Sequence, residues 1–165
     1  MNYLEHKIIP FDQLGPWRDG RVGERLIVTN GCFDIVHLGH IYYLVKARRM
    51  GTFLLIGLNS DKSVKARKGQ NRPINKELDR ALFLCAFDFV DAVCVFPDKT
   101  AAEFLNLSRP SVYVKGGDYD ESTMDVKEKG VLEKCESEIV FTDYIKNKST
   151  SNIISVINSG EQRGH

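Results

Sequence analysis

Leu26-Ile27-Val28-Thr29-Asn30-Gly31-Cys32-Phe33-Asp34-Ile35-Val36-His37-Leu38-Gly39-His40 is the stretch whose reading decides the fold. The apolar run Leu26-Ile27-Val28 enters it, and Ile41, Leu44, Val45 and Arg48 leave it with helical spacing. A buried strand therefore delivers the chain to Gly31, and a helix starts near Leu38. Strand, loop and helix N-terminus together offer spare backbone N–H groups and the positive end of a helix dipole, a setting that favours an anion.

His37 and His40 share the first helical turn, and Gly39 between them removes a side chain that would hold a ligand off the backbone. The stretch reads as a phosphate cradle with two imidazole donors. Two other readings stand beside it. The histidines could be a core pair, although burial is hard to complete at a helix start. Asp34, His37 and His40 are evenly spaced and could hold a metal, but helical metal pairs more often use a four-residue step and no fourth ligand is evident.

Outward from this stretch, strands and helices alternate. Thr52 to Leu58 is a continuous apolar run ended by polar Asn59, suited to a strand buried on both faces. A polar, basic loop from Asn59 to Arg72 follows, and then an amphipathic helix from Asn75 through Phe87. Ala92 to Phe96 is a third strand, Thr100 to Leu107 a short helix, and Val112-Tyr113-Val114 a fourth strand. A charged helical region lies between Glu121 and Lys134, Glu138 to Phe141 is a fifth strand, and a last helix starts near Ser149. Residues 1–24 read as a lead-in on the domain edge with Trp17 as its anchor, 25–159 as a single domain and 160–165 as a frayed tail. The expected architecture is α/β: a doubly wound parallel sheet of about five strands with helices on both faces. In such sheets ligands bind beyond the carboxyl ends of the strands, where the winding reverses.

The 165 residues suffice for one domain with a sizeable core, and 42% hydrophobic and 27% charged residues are ordinary for a globular protein. A net charge of +1 gives no electrostatic reason to expect nucleic acid. The four cysteines are scattered, with no Cys-x-x-Cys pair, which suggests neither zinc nor a disulfide framework. No apolar run is long enough to span a bilayer, and the first residues do not resemble a signal peptide. A cytoplasmic protein without membrane or nucleic-acid partners is expected.

Four distinctive segments follow predicted strands and should share one rim: Gly31 to His40, Asn59 to Lys68, Lys115 to Tyr119 and Ser149 to Ser151. In the basic loop Lys65 and Lys68 are the first choices for phosphate contact, with Lys62 and Arg67 pointing outward. The glycine pair Gly116-Gly117 lets a ring or phosphate approach the backbone, and Ser149, Thr150 or Ser151 can cap the last helix. No Ser-His-Asp or Cys-His arrangement is present. Attack of a phosphate oxygen on the α-phosphorus of a nucleotide requires none, because that oxygen is already anionic and positioning with charge stabilisation suffices.

Gly31-Cys32-Phe33-Asp34 followed by His37-Leu38-Gly39-His40 resembles the His-x-Gly-His signature of the cytidylyltransferase-like nucleotidyltransferases. Asn59 to Lys65, Lys68-Gly69, Arg72 to Asn75, Asp79-Arg80, Val114 to Tyr119 and Ser149 to Asn152 occur in the order of one subgroup, the D-glycero-D-manno-heptose 1-phosphate adenylyltransferases. The resemblance runs from about Leu26 to Ile157. It implies a Rossmann-like fold and AMP transfer from ATP to heptose 1-phosphate, giving ADP-heptose and pyrophosphate for the lipopolysaccharide core, with Mg²⁺ accompanying ATP. It further implies His37, His40 and Lys65 as catalytic residues. Asn30, Gly31, Phe33, Gly39, Lys68, Gly116, Asp118, Ser149, Thr150 and Ser151 would lie around the nucleotide. Asp34, Arg80 and Lys115 would meet the acceptor, and no residue is expected to bind metal directly. The family is often fused to a sugar kinase, and here a separate kinase is expected to supply the 1-phosphate to a homo-oligomer. Glycerol 3-phosphate cytidylyltransferases carry Arg-Thr-x-Gly-Ile before their last Ser-Thr-Thr, whereas Tyr144 to Lys148 stands here. A cytidylyltransferase acting on a polyol phosphate is the alternative, followed by a non-catalytic nucleotide-binding module.

Overall fold

The computed structural model describes residues 2–116, 121–142 and 150–160. Among them are five strands, all parallel: β1 (Leu26–Gly31), β2 (Phe53–Asn59), β3 (Ala92–Phe96), β4 (Val112–Gly116) and β5 (Glu138–Thr142). Their order across the sheet is β3-β2-β1-β4-β5. The chain winds one way from β1 to β3 and then crosses to the far side of β1, so the carboxyl ends of β1 and β4 flank the switch point.

The helices are α1 (Asn2–Glu5), α2 (Leu14–Asp19), α3 (Leu38–Arg48), α4 (Asp61–Lys68), α5 (Glu77–Cys85), α6 (Ala102–Ser108), α7 (Val126–Lys134) and α8 (Thr150–Gly160). Successive strand residues point to opposite faces, which is why the central strands are apolar throughout. Ile27, Leu54 and Ile56 share one core with Leu44 and Ala47 of α3 and Ala81 and Leu84 of α5. Val28 and Leu55 share the other with Phe104 and Leu105 of α6 and Leu132 of α7. These side chains are fully buried, and each Val, Leu, Ile or Phe among them is worth about 1.5–3 kcal/mol. Gly57 on β2 is fixed by close approach, since a Cβ there would lie 2.5 Å from the Phe104 ring.

One segment differs from the sequence reading. The basic stretch is a helix, not a loop. Ser60 caps it by accepting the Ser63 N–H at 3.2 Å, and only Ser63 and Val64 are buried, so its apolar face is too narrow to show as a period. The lead-in runs beside β3. Ile8 bridges to Val93 in parallel, with Ile9 N–H to the Val93 carbonyl at 2.8 Å and Val93 N–H to the Lys7 carbonyl at 2.9 Å. Lys7 Nζ donates to the carbonyls of Cys85, Phe87 and Val90 at 3.1, 3.3 and 2.9 Å, closing the end of α5. Leu14 is fully buried, and Trp17 packs edge-on to Phe53 at 5.5 Å.

Candidate active site

α3 starts where the sequence placed it. His37 is its N-cap, in extended conformation, and its N–H donates to Nδ1 of His40 at 3.3 Å. The two imidazoles stack with centroids 3.9 Å apart. Because Nδ1 of His40 accepts, its ring proton sits on Nε2. Burial, followed by the neighbouring His37 and Lys68, pushes the His40 pKa down to about 3. His40 is thus a neutral donor at physiological pH, aimed by its own helix cap.

Phe33 walls this turn. Its φ of 45° is left-handed, a conformation that costs energy for a bulky residue and occurs where surroundings over-determine it. The ring is buried, lies 5.1 Å from His40, and covers Gly31, where a Cβ would come 3.0 Å from it. Gly31 therefore makes room for the ring that shields His40.

A cleft of about 460 Å³ opens at the switch point. Asn30, Gly31, Cys32, Phe33 and His40 form one side, and Lys115 and Gly116 of β4 the next. Arg67 and Lys68 reach it from the end of α4, Lys99 and Thr100 from the loop after β3, and Thr123, Asp125 and Glu128 from the start of α7. Gly116 is needed for packing, because a Cβ would lie 2.9 Å from the ring of Tyr43, another lining residue. A hydrogen-bonded chain links three of these lining residues through Tyr113. Lys115 Nζ donates to Glu128 at 3.0 Å and to the Tyr113 hydroxyl at 2.8 Å, and that hydroxyl donates to Asn30 Oδ1 at 2.5 Å. Thr150, at the start of α8, donates its hydroxyl to the Ile35 carbonyl at 3.2 Å, which brings the last helix to the histidine loop.

Residues 28–157 match the family model described as cytidylyltransferase-like. The chain belongs to the cytidylyltransferase-like family. It is 44% identical over 154 residues to the bifunctional protein HldE of Campylobacter fetus subsp. fetus, covering 93% of this chain and 32% of that protein. The bifunctional protein HldE of Helicobacter hepaticus is 43% identical over 155 residues, 94% of this chain and 31% of its own length. The chain thus spans roughly a third of the curated relatives it matches. Two solved structures share the fold. A lipopolysaccharide core biosynthesis protein from Thermoplasma volcanium GSS1 has a TM-score of 0.63 at 24% identity, covering 75% of this chain and 100% of that one. A pantoate-beta-alanine ligase from Francisella tularensis, complexed with beta-gamma ATP and beta-alanine, has a TM-score of 0.61 at 13% identity, covering 92% and 76%.

Against this cytidylyltransferase-like frame, the residues singled out in the sequence fall into three groups. His40, Asn30, Gly31, Phe33, Lys68, Lys115 and Gly116 meet in the cleft, with His37 stacked behind His40 and Gly39 in the first turn of α3. Asp34, Arg80 and Lys65 do not line it. The Asp34 carboxylate accepts the N–H of Ile74 at 2.8 Å and of Asn75 at 3.0 Å and pairs with Arg72 at 2.8 Å. Those bonds commit it to the following loop, and no group of three His, Cys, Asp or Glu among the described residues could hold a metal ion.

Arg80 is buried, donating to the carbonyls of Asn75, Cys32 and Asn59 at 3.0, 2.5 and 2.9 Å and to Asp61 at 2.9 Å. It clasps the ends of β1 and β2 from beneath. Lys65 lies on the exposed face of α4. A step of four from buried Ser63 and Val64 selects Arg67 and Lys68 for the cleft, the reverse of the expectation for Arg67. Asp118 and Ser149 fall outside the described residues, and Ser151 is described only as part of α8. Lys99, Thr100, Thr123, Asp125 and Glu128 were missed. The one available signal was Asp125-x-x-Glu128, which marks a helix start and not a cleft. No helix among the described residues is long and apolar enough to cross a membrane.

Proposed function

We propose that this chain is a nucleotidyltransferase that transfers AMP from ATP to D-glycero-β-D-manno-heptose 1-phosphate, releasing pyrophosphate and forming ADP-heptose for lipopolysaccharide core synthesis. The observation that carries the reaction class is His40 at the head of α3. It is a neutral imidazole with its proton on Nε2, beside a helix N-terminus and the cations Arg67 and Lys68, in a cleft at the switch point.

Such a site supplies donors for phosphate oxygens. The attacking oxygen of a sugar 1-phosphate is anionic and displaces pyrophosphate in line at the α-phosphorus, so positioning and charge stabilisation carry the rate. His40 donates to a non-bridging or departing oxygen as charge develops there, a contribution of about 10²–10³ in rate for one preorganised donor. His37 fixes the imidazole by stacking and by its N–H. Lys68 and Arg67 neutralise the phosphate chain. Asp125 caps α7 and Glu128 is paired with Lys115. These carboxylates are committed elsewhere, so Mg²⁺ enters with ATP as the counter-ion of its phosphates.

The acceptor and the base are inferred from the ordered series of motifs from Asn59 to Asn152. The family description favours a second reading, a cytidylyltransferase acting on a polyol phosphate such as glycerol 3-phosphate. Pyrophosphate release is followed with ATP or CTP against heptose 1-phosphate or glycerol 3-phosphate, with Mg²⁺. Turnover with ATP and heptose 1-phosphate is expected, and turnover only with CTP and glycerol 3-phosphate replaces it with the second reading.

A further inference from the structure

The cleft is electrically lopsided. Arg67, Lys68 and Lys99 reach it from the β2 and β3 side. On the opposite wall Lys115 is a fourth cation by sequence, but its ammonium sits 3.0 Å from Glu128 Oε2. Glu128 is only 5% exposed, and a carboxylate that deep persists when its charge is matched and its oxygens are bonded. Both conditions are met, since Oε1 accepts the Ala101 N–H at 2.8 Å while Oε2 faces Lys115. Asp125 beside it accepts the N–H groups of Lys127 and Glu128 at 2.9 and 3.2 Å. Among the described residues this wall therefore brings no net positive charge to the cleft, yet it remains dense in donors and acceptors.

We propose that Glu128 is a specificity-determining residue: by cancelling Lys115 it closes the β4–α7 wall to phosphate and leaves there, beside Thr123, a surface for the vicinal hydroxyls of a sugar ring. Phosphate groups are thereby kept to the part of the cleft lined by Arg67, Lys68, Lys99 and the His40 donor. The hydroxyls belong either to the ribose of the nucleotide or to the acceptor sugar. That half of the inference rests on the nucleotidyltransferase reading, whereas the charge partition does not.

The charge partition is tested with inorganic pyrophosphate alone, titrated calorimetrically into the full chain. Glu128→Gln keeps the size and an oxygen for the Ala101 N–H but adds one net positive charge, so pyrophosphate should bind about tenfold tighter, the scale of a unit charge acting across a solvated cleft. Lys115→Met should weaken it about tenfold for the converse reason. The double variant, again neutral, should return close to the wild-type affinity. Equal affinities in all four proteins, or no binding by any, overturn the partition. Thermal melting reports folding, and if Glu128→Gln does not fold, Lys115→Met alone decides.

Steady-state kinetics then identify the hydroxyls. A rise in KM for ATP that is absent with 2′,3′-dideoxy-ATP assigns them to the ribose. A rise in KM for the sugar phosphate alone assigns them to the acceptor, and no rise in either removes the hydroxyl role. Charge-dependent pyrophosphate binding without turnover of any sugar phosphate would leave the partition standing and sink the proposed reaction.

Discussion

Arg80 offers the sharpest test of how this site is held together. In Arg80→Met an aliphatic chain of similar length fills the space, so the loss is polar and not a cavity. Three carbonyl oxygens, at Asn75, Cys32 and Asn59, and the Asp61 carboxylate lose their donor, in surroundings where the guanidinium itself is buried. Removing one partner of a buried charged network costs about 3–5 kcal/mol, a large part of the 5–15 kcal/mol typical of a domain. Urea unfolding should show the midpoint falling with little change in slope. Arg80→Lys, which keeps the charge but cannot reach four acceptors at once, should lose roughly half as much. Cys32 and Asn59 lie at the carboxyl ends of β1 and β2, so nucleotide affinity should weaken along with stability. A loss under about 1 kcal/mol would refute the clasp. If kcat/KM collapsed at the same time, Arg80 would be shown to meet substrate, as its place in the motif series first suggested.

Other outcomes follow from the same geometry. His40→Ala should lower kcat by about 10² or more with the fold intact, and near-normal turnover would remove His40 from the chemistry. His40 also links stability to pH. Its folded pKa of about 3 lies below the ordinary 6.5, so the unfolded chain takes up this proton first and stability falls as pH drops from about 6.5 towards 3. Wild type should therefore lose up to about 1.4 kcal/mol per pH unit more than His40→Gln in that window, and parallel urea midpoints between pH 6 and 4.5 would contradict the depressed value. Lys68→Ala should raise KM for the nucleotide several-fold while Lys65→Ala changes it little, and the opposite ranking would restore the sequence expectation. Gly116→Ala forces the Tyr43 ring to move from a 2.9 Å approach and should cost about 1–3 kcal/mol in thermal or urea unfolding.

Much of this architecture can be read from local pattern. The strands declare themselves because residues such as Leu54 and Leu55 face opposite cores and both must be apolar. The histidine turn does so because a strand, a glycine and a helix start are adjacent in sequence. What local pattern hides is whatever depends on three-dimensional assembly. α4 buries too little to show a period, so Arg67 and Lys65 exchange the roles that alternation suggested. Lys99 and Glu128 come from separate connections, and nothing near either in sequence tells that they face one cavity. Asp34 and Arg80 carry a motif's letters, but the motif does not disclose that their polar atoms turn inwards to brace loops.

The strip of backbone from Lys7 to Ile9 has a practical consequence for anyone trimming the protein. It hides the outer margin of β3, and Lys7 also plugs the carbonyls where α5 stops. A version starting at residue 25 would bare unsatisfied amide and carbonyl groups along a hydrophobic flank, the kind of border along which chains stick to one another. Precipitation of that shortened protein, relieved by restoring the missing two dozen residues, would mark them as the selvedge of the sheet.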